Sequence, residues 1–449
     1  MGETGRAFKP CGRCKVSGSG GVLIAAPSSG AGKTTITLGL LRALADRGVD
    51  VQPAKSGPDY IDPTFHTLAA RRESVNLDPW AMRPETLAHL SSIDGPLIAE
   101  GAMGLFDGTA NGEGACADLA HGLDLSVILV VDCAKVGASV AATIRGFATH
   151  RADVPIAGVI LNRLASEKHE TLVRGAVEPV CTEFGIELLG ALPRAGDLTI
   201  PSRHLGLVPA GEIGAIEETI HRAAELCAAN CNLDAIVRLT QRETAGVSAS
   251  ASAPPPGQRI AIARDAAFVF CYPHLLRSWR ASGATAEFFS PLADEAPPFD
   301  ADAIFLPGGY PELHAHMLAG AHSFQRRMRD AADRGVPIYG ECGGYMVLGE
   351  TLTDSSGEVH QMLGLLGLRT SFQERRLHLG YREVHGLDGT SSFPFERRYR
   401  AHEFHHATIV HEEGDPLFHA RDVIGTDLGT VGLRSGTVCG SFMHIVDAW

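Results

Sequence analysis

Two turn motifs of different chemistry, far apart in the chain, each demand a strand before them and a helix after them. Ser28-Ser29-Gly30-Ala31-Gly32-Lys33-Thr34-Thr35 follows the apolar run 22–26, and Gly340-Glu341-Cys342-Gly343-Gly344 follows the apolar run 337–339. The first has the makeup of a loop that cradles a triphosphate, the second of a sharp turn that exposes a thiol. The chain is therefore expected to be α/β and to hold more than one unit. ATP would drive a transfer whose donor is opened by a thiol, and glutamine-dependent amidation is a reaction of that kind.

The length of 449 residues allows two or three domains, each with its own core. Residues 21–241 alternate strands with helices. Apolar strands are expected at 22–26, 49–53, 96–100, 126–131 and 156–161, with a helix over 34–47 that stops at Gly48. Such strands, bounded by turns and separated by helices, indicate a parallel sheet covered on both faces. Residues 242–258 (RETAGVSASASAPPPGQ) lack periodicity and read as a linker. The α/β rhythm restarts over 259–449, with strands at 259–263, 303–306 and 337–339 and a more antiparallel region past Leu363. Residues 1–20 read as a flexible, Gly/Ser-rich arm. Within it Cys11 and Cys14 have the spacing of half a zinc site, but no second Cys/His pair lies nearby to complete one.

Composition removes several classes of function. A net charge of −13 argues against non-specific nucleic-acid binding, and any polyanionic substrate must be met by a local cluster of Arg or Lys. No stretch approaches the roughly 18 apolar residues that span a bilayer, and residues 1–20 lack the apolar core of a signal peptide. The expected compartment is the cytoplasm, where disulfides between the 10 scattered cysteines are improbable.

In the first motif, Gly30 and Gly32 let the backbone turn its N–H groups toward an anion, and the helix N-terminus adds a favourable field. Lys33 would reach the outer phosphates, the Thr34 hydroxyl would ligate Mg²⁺, and Thr35 completes the ATP-binding run. The strict pattern has Gly six residues before the Lys, where this chain has Pro27. Lys55 to Asp62 follows the second expected strand and Glu100 to Gly108 the third. Residues beyond strand C-termini share one crevice in an open parallel sheet. Thr34, Glu100 and Asp59 form the expected metal set, with Glu100 the leading ligand because it directly ends a strand. Lys55, Asp62 and Asp107 are the expected contacts to substrate and its phosphate. Mg²⁺ takes one or two carboxylates besides phosphates and water, so any one of these acids can instead be a cap or turn residue.

In the second motif, the glycines permit a strand-to-helix elbow that holds Cys342 exposed and strained. A thiolate there can attack the side-chain amide of L-glutamine, release ammonia and leave a thioester for hydrolysis. The amides of Gly343 and Gly309 are the expected oxyanion donors. The base is expected to be His444, in a strand-like segment near the chain's end. His402-Glu403-Phe404-His405-His406 spells the H-E-x-x-H zinc-protease pattern, but that mechanism needs a helix, and the surroundings read as strand.

The segments APSSGAGKTT, KSGPDYIDPTFH, NLDPW, EGAMGLFDG, LPGGYPELHA, GECGGYM, LGYREV and HEFHH, spread from Ala26 onward, resemble one family over nearly the whole chain. It is that of the cobyrinic and hydrogenobyrinic acid a,c-diamide synthases, in the cobalamin-pathway branch of class I glutamine amidotransferases. The resemblance implies a dethiobiotin-synthetase-like P-loop domain followed by a class I glutamine amidotransferase domain. It further implies that Mg-ATP phosphorylates peripheral carboxylates of a corrin, which ammonia then displaces, at positions a and c in turn. By position, Cys342 is the nucleophile, His444 its base, and Lys33, Thr34 and Glu100 serve nucleotide and metal. Val446 stands where many class I amidotransferases carry a Glu, so a Cys-His dyad is implied, as in the branch resembled. Ser28 is not the Lys of some partition-type ATPases, which disfavours a partition-type switch, and intact Cys342 and His444 argue against a regulatory ATPase with a decayed second domain. The same chemistry on a nickel-sirohydrochlorin remains open, and KSGPDYIDP favours a diamide synthase over cobyric acid synthase. The tandem arginines Arg375-Arg376 and Arg71-Arg72 are candidates to meet substrate carboxylates or simple surface pairs. The residues fix no oligomeric state, and a homodimer is compatible with them.

Overall fold

The computed structural model describes residues 21–92, 95–196, 198, 213–241, 253–387 and 398–449. The Cys11/Cys14 arm and most of the 242–258 linker lie outside the described residues. Seven strands build the first sheet: β1 (Val22–Ala25), β2 (Gln52–Ser56), β3 (Val75–Leu77), β4 (Leu97–Glu100), β5 (Ser126–Asp132), β6 (Ile156–Leu164) and β7 (Glu187–Pro193). All neighbours are parallel, in the order β3-β2-β4-β1-β5-β6-β7. Every residue of β1 and β4 is buried, as a sheet covered on both faces requires. Because β1 lies between β4 and β5, the loops after β1 and β4 open side by side at the sheet's C-terminal edge.

Helix α1 (Lys33–Asp46) leaves that edge directly after Gly32 and ends before Gly48, close to the expected bounds. The second strand differs from expectation. It starts at Gln52 rather than at 49, because the chain is still turning out of α1: Val49 N donates to Leu44 O and Val51 N to Val49 O. The shift places Lys55 inside β2 and not after it. Helix α2 (Asp62–Ala70) follows a short turn.

The second domain opens with β8 (Arg259–Ala263), β9 (Thr285–Phe289), β10 (Ala303–Leu306) and β11 (Ile338–Glu341), again parallel. A small side sheet holds β12 (Thr351–Thr353), β13 (Val359–Gln361), β14 (Gly367–Ser371) and β17 (Thr408–Glu413). The main sheet continues through β15 (His378–Gly386), β16 (Arg398–His405), β18 (Asp415–Arg421), β19 (Asp427–Ser435), β20 (Val438–Ser441) and β21 (Met443–Ala448). Its order is β21-β16-β15-β18-β19-β20-β11-β10-β8-β9. β20 joins β11 in parallel, and the pairings beyond it are antiparallel, as the composition past Leu363 suggested. His402 to His405 lie in β16, so the zinc-protease reading is excluded by strand geometry. Among the described residues, no helix is long and apolar enough to cross a membrane.

The two domains meet through buried polar contacts. The Asp447 carboxylate, fully buried at the end of β21, accepts from Arg83 N (2.9 Å), Arg83 Nη2 (3.1 Å) and Thr86 Oγ1 (2.7 Å) at the start of α3 (Pro84–Ser91). Tyr381 donates to Asp78 at 2.8 Å, while Asp78 also caps Trp80 N and Ala81 N. The Arg400 guanidinium donates to the Trp80 carbonyl and lies 4.4 Å over the Trp80 ring. Removing one partner of such a buried set strands the others. Asp447→Ala is therefore expected to lower unfolding free energy by about 3 kcal/mol, read from urea denaturation. A loss below about 1 kcal/mol, the scale of a surface pair, would rule out an anchoring role.

Candidate active sites

The phosphate-type site sits where β1, β2 and β4 end. Gly32 takes φ 95°, and a Cβ there would lie 2.3 Å from the Asn162 amide nitrogen, so only glycine fits between loop and β6. Asn162 in turn donates to the Ala31 carbonyl at 2.9 Å, and Arg163 to the Gly30 carbonyl at 2.8 Å, holding the loop in shape. Lys33 Nζ turns back across the loop to the carbonyls of Met103 (2.5 Å) and Ser28 (3.4 Å), while Thr34 and Thr35 lie half-buried in the first turn of α1. This is the bent, cation-lined cradle that backbone recognition of phosphate requires.

Glu100 is the hub. It is 1% exposed. Its Oε1 accepts from Thr34 Oγ1 at 2.6 Å and from Lys55 Nζ at 3.1 Å, and its Oε2 lies 2.7 Å from His66 Nε2. Burial alone would raise its proton affinity, yet Lys55, His66 and Thr34 together hold it below the usual carboxylate range. Burial acts on Lys55 in the opposite sense, and the carboxylates of Glu100 and Asp62 outweigh it and keep Lys55 charged. Burial, with Glu100 next, pushes Asp62 up to about 6 even though Lys55 bonds it directly. Burial also lowers Lys33.

Lys33, Thr34, Lys55, Asp62 and Glu100 thus come together as a set. Asp59 and Asp107 stand at its margin in turns. Asp59 Oδ1 accepts from Ile61 N (2.7 Å) and Asp62 N (3.4 Å), and no hydrogen bond joins it to Thr34 or Glu100 among the described residues. Asp107 is exposed and accepts from Gly104 N at 2.8 Å, although its charge still bears on Lys33. His66 was not singled out from the sequence. It sits four residues after Asp62 on α2, one turn along the same face, and that spacing was the available signal. An ionised carboxylate beside a hydroxyl at a strand end is a hard-oxygen donor pair of the kind Mg²⁺ takes, so these residues fit that ion. Arg71 pairs with Asp46 and Arg72 with Asp50, while Arg375 and Arg376 lie in an exposed segment.

The thiol site is built at the end of β11. Cys342 takes φ 48° and ψ −102°, between the strand and α4 (Gly343–Leu348). The strain expected of the elbow is there but the exposure is not: Cys342 is only 3% exposed, because the Gly309 loop and β16 close over it, and its thiol lies 3.6 Å from the Phe404 carbonyl. A Cβ on Gly343 would stand 2.9 Å from Gly309 N, so glycine lets the two loops close on each other. Gly343, first in its helix, has no intrahelical acceptor for its N–H.

His444 comes from β21, directly opposite His402 on β16. Its Nδ1 lies 3.2 Å from the Tyr60 hydroxyl and 3.7 Å from Glu341 Oε2. Its Nε2 is buried with no partner at hydrogen-bond geometry among the described residues. Burial would lower its proton affinity, but the Cys342 thiol and Glu341 outweigh this and raise it to about 10. The raised proton affinity suits His444 to hold a proton beside the sulfur, the counter-charge that a nucleophilic thiolate needs. Neighbouring His402 is lowered to about 3, by burial first and by His444 next. Glu403 is committed to Arg382 and His405.

Known proteins share both halves. Residues 22–208 match the family of the CobQ/CobB/MinD/ParA nucleotide binding domain, and residues 259–448 that of the CobB/CobQ-like glutamine amidotransferase domain. Hydrogenobyrinate a,c-diamide synthase of Brucella abortus is 54% identical over 435 residues, covering 95% of this chain and 98% of its own. That of Rhizobium meliloti is 54% identical, covering 95% and 99%. That of Rhodobacter capsulatus is 48% identical, covering 96% and 99%. A nucleotide-binding sheet and an amidotransferase elbow, matched end to end at this identity, place the chain in the hydrogenobyrinate a,c-diamide synthase family, whose members are glutamine-dependent ligases of the cobalamin pathway.

Proposed function

We propose that this enzyme amidates the a and c carboxylates of a corrin acid, with ATP and L-glutamine as co-substrates. The observation that carries the reading is the pairing of a charged, phosphate-shaped site at Lys33, Glu100 and Lys55 with a cysteine elbow facing His444. The relatives, hydrogenobyrinate a,c-diamide synthases, favour hydrogenobyrinic acid, the metal-free substrate, over cobyrinic acid.

In the second domain, the Cys342 thiolate attacks the glutamine amide carbon. The amides of Gly343 and Gly309 receive the charge that develops on the oxygen. His444 gives its proton to the departing ammonia, and water then hydrolyses the thioester to glutamate. In the first domain, the loop amides with Gly30, Gly32, Lys33 and Thr35 hold the triphosphate. A substrate carboxylate takes the terminal phosphoryl group, with ADP leaving. Lys55, flanked by Asp62, meets the transferred group, and Asp107 bears on Lys33. Ammonia then displaces phosphate from the acyl phosphate and leaves the amide. Thr34 and Glu100 would hold Mg²⁺, with Asp59 from the adjoining turn as a third oxygen donor, and the ion would neutralise phosphate charge. A carboxylate is a poor electrophile, and the phosphoryl group supplies the leaving group it lacks.

The test is incubation with Mg-ATP, glutamine and either hydrogenobyrinic or cobyrinic acid, with amides counted by mass spectrometry. Two amides are expected, formed faster on the metal-free acid. If neither acid gains an amide while glutaminase and ATPase activities are intact, the substrate is another tetrapyrrole and this assignment fails.

A further inference from the structure

His444 Nδ1 faces two groups. Glu341 Oε2, at 3.7 Å, is outside hydrogen-bond reach, and the other oxygen of Glu341 is taken by Ile445 N at 3.1 Å. The Tyr60 hydroxyl, at 3.2 Å, is the closer partner, and it comes from the other domain. Tyr60 stacks against Tyr272 (ring centroids 4.3 Å apart) and Phe270 (4.9 Å), so its ring is clamped by the amidotransferase domain. The Tyr272 hydroxyl proton is committed to the Pro58 carbonyl at 3.1 Å, so Tyr272 has none to offer Tyr60. The Tyr60 oxygen, 3.2 Å away, is thus free to accept Nδ1–H of His444. With Nδ1–H held there in the protonated and the neutral ring alike, the proton exchanged with the thiol is the one on Nε2.

The segment that carries Tyr60 is also the wall of the phosphate site. Asn76 holds the carbonyls of Gly57 (2.9 Å) and Asp59 (2.7 Å), and Asp62, two residues after Tyr60, bonds Lys55. We propose, resting on the roles given above to Cys342 and His444, that Tyr60 is a positioning residue of the glutamine-hydrolysing site. Supplied by the ATP-dependent domain, its hydroxyl orients His444, so that thiol activation depends on the state of segment 57–62. The other ionisable groups facing His444 are Glu341 at the end of β11, Cys342 after it and His402 on β16, all from the amidotransferase domain.

Tyr60→Phe removes the hydroxyl and keeps the stacked ring. The quantity to read is the ratio of glutamine-dependent to ammonia-dependent amidation of hydrogenobyrinic acid. A general folding defect lowers both rates and leaves the ratio unmoved. The ratio is expected to fall by roughly tenfold or more, the scale of one lost hydrogen bond to a charged group. The fall should appear in glutaminase kcat, with a displaced pH profile. Tyr272→Phe, which frees the Pro58 carbonyl, should lower the same ratio by less. A Tyr60→Phe ratio within twofold of wild type, with an unchanged pH profile, overturns the proposal. Cys342→Ala in the same assay separates the two claims: if it retains glutaminase activity, the reading of the thiol site fails instead.

Discussion

Cys342→Ala should abolish glutamine-dependent amidation, by at least roughly a thousandfold, while amidation fed by free ammonia continues. The expectation follows from the separation of tasks. Cys342 is the thiol at the strand-to-helix elbow, and His444, whose proton affinity it raises, lies against it. Glu403 and His402 cannot take over, because neither carries a nucleophilic sulfur and both are half-buried in β16. Alanine keeps the Cβ and leaves no charge unpaired in the other domain, so the ATP-driven step is untouched. Amide formation would be followed by mass spectrometry with glutamine or ammonium chloride as nitrogen source. Loss of both activities would point to a damaged fold, and retention of the glutamine-dependent one would remove Cys342 from the chemistry.

Glu100→Gln should have the complementary effect: ammonia-dependent amidation falls about a hundred- to a thousandfold, and glutaminase activity stays near wild type. Glu100 is the carboxylate on which Thr34, Lys55 and His66 converge. The glutamine side chain has nearly the same shape, so packing is kept while the charge is lost. Lys55 then faces Asp62 alone, and the hydroxyl-carboxylate pair suited to Mg²⁺ becomes a hydroxyl-amide pair, a poorer donor set. Release of ADP with ammonia as nitrogen source is the direct readout, with a thermal melt as the check on folding. Wild-type rates of ADP release in a folded variant would exclude Glu100 from the phosphoryl-transfer site.

Where one apolar face or one turn decides the structure, the sequence was readable. β1, β4 and β5 are runs of buried aliphatics, and the two glycine-bearing turns announce themselves by residue type. The start of β2 was misplaced because its buried residues include Gln52, Lys55 and Ser56, whose polarity hides a fully covered strand. β3 has only three residues, too few to show a period. The functional set was partly legible for a related reason. Lys33, Thr34, Glu100 and Cys342 lie inside local motifs. His66 and Tyr60 meet partners 34 and 384 positions away, and no local pattern encodes such a meeting. The contacts of Asp447 and Tyr381 across the domain boundary were hidden in the same way.

The backbone at Cys342, with φ 48° and ψ −102°, lies in a region that side-chain-bearing residues avoid, at a cost of about 1–3 kcal/mol. Every resting molecule carries that strain, whether or not glutamine is present. Folding and chemistry therefore select different residues at one position. The backbone is most relaxed with glycine, and only the reaction asks for sulfur. A lineage living on abundant free ammonia would feel the first pressure without the second, and position 342 is where it should drift first, toward glycine and a firmer fold.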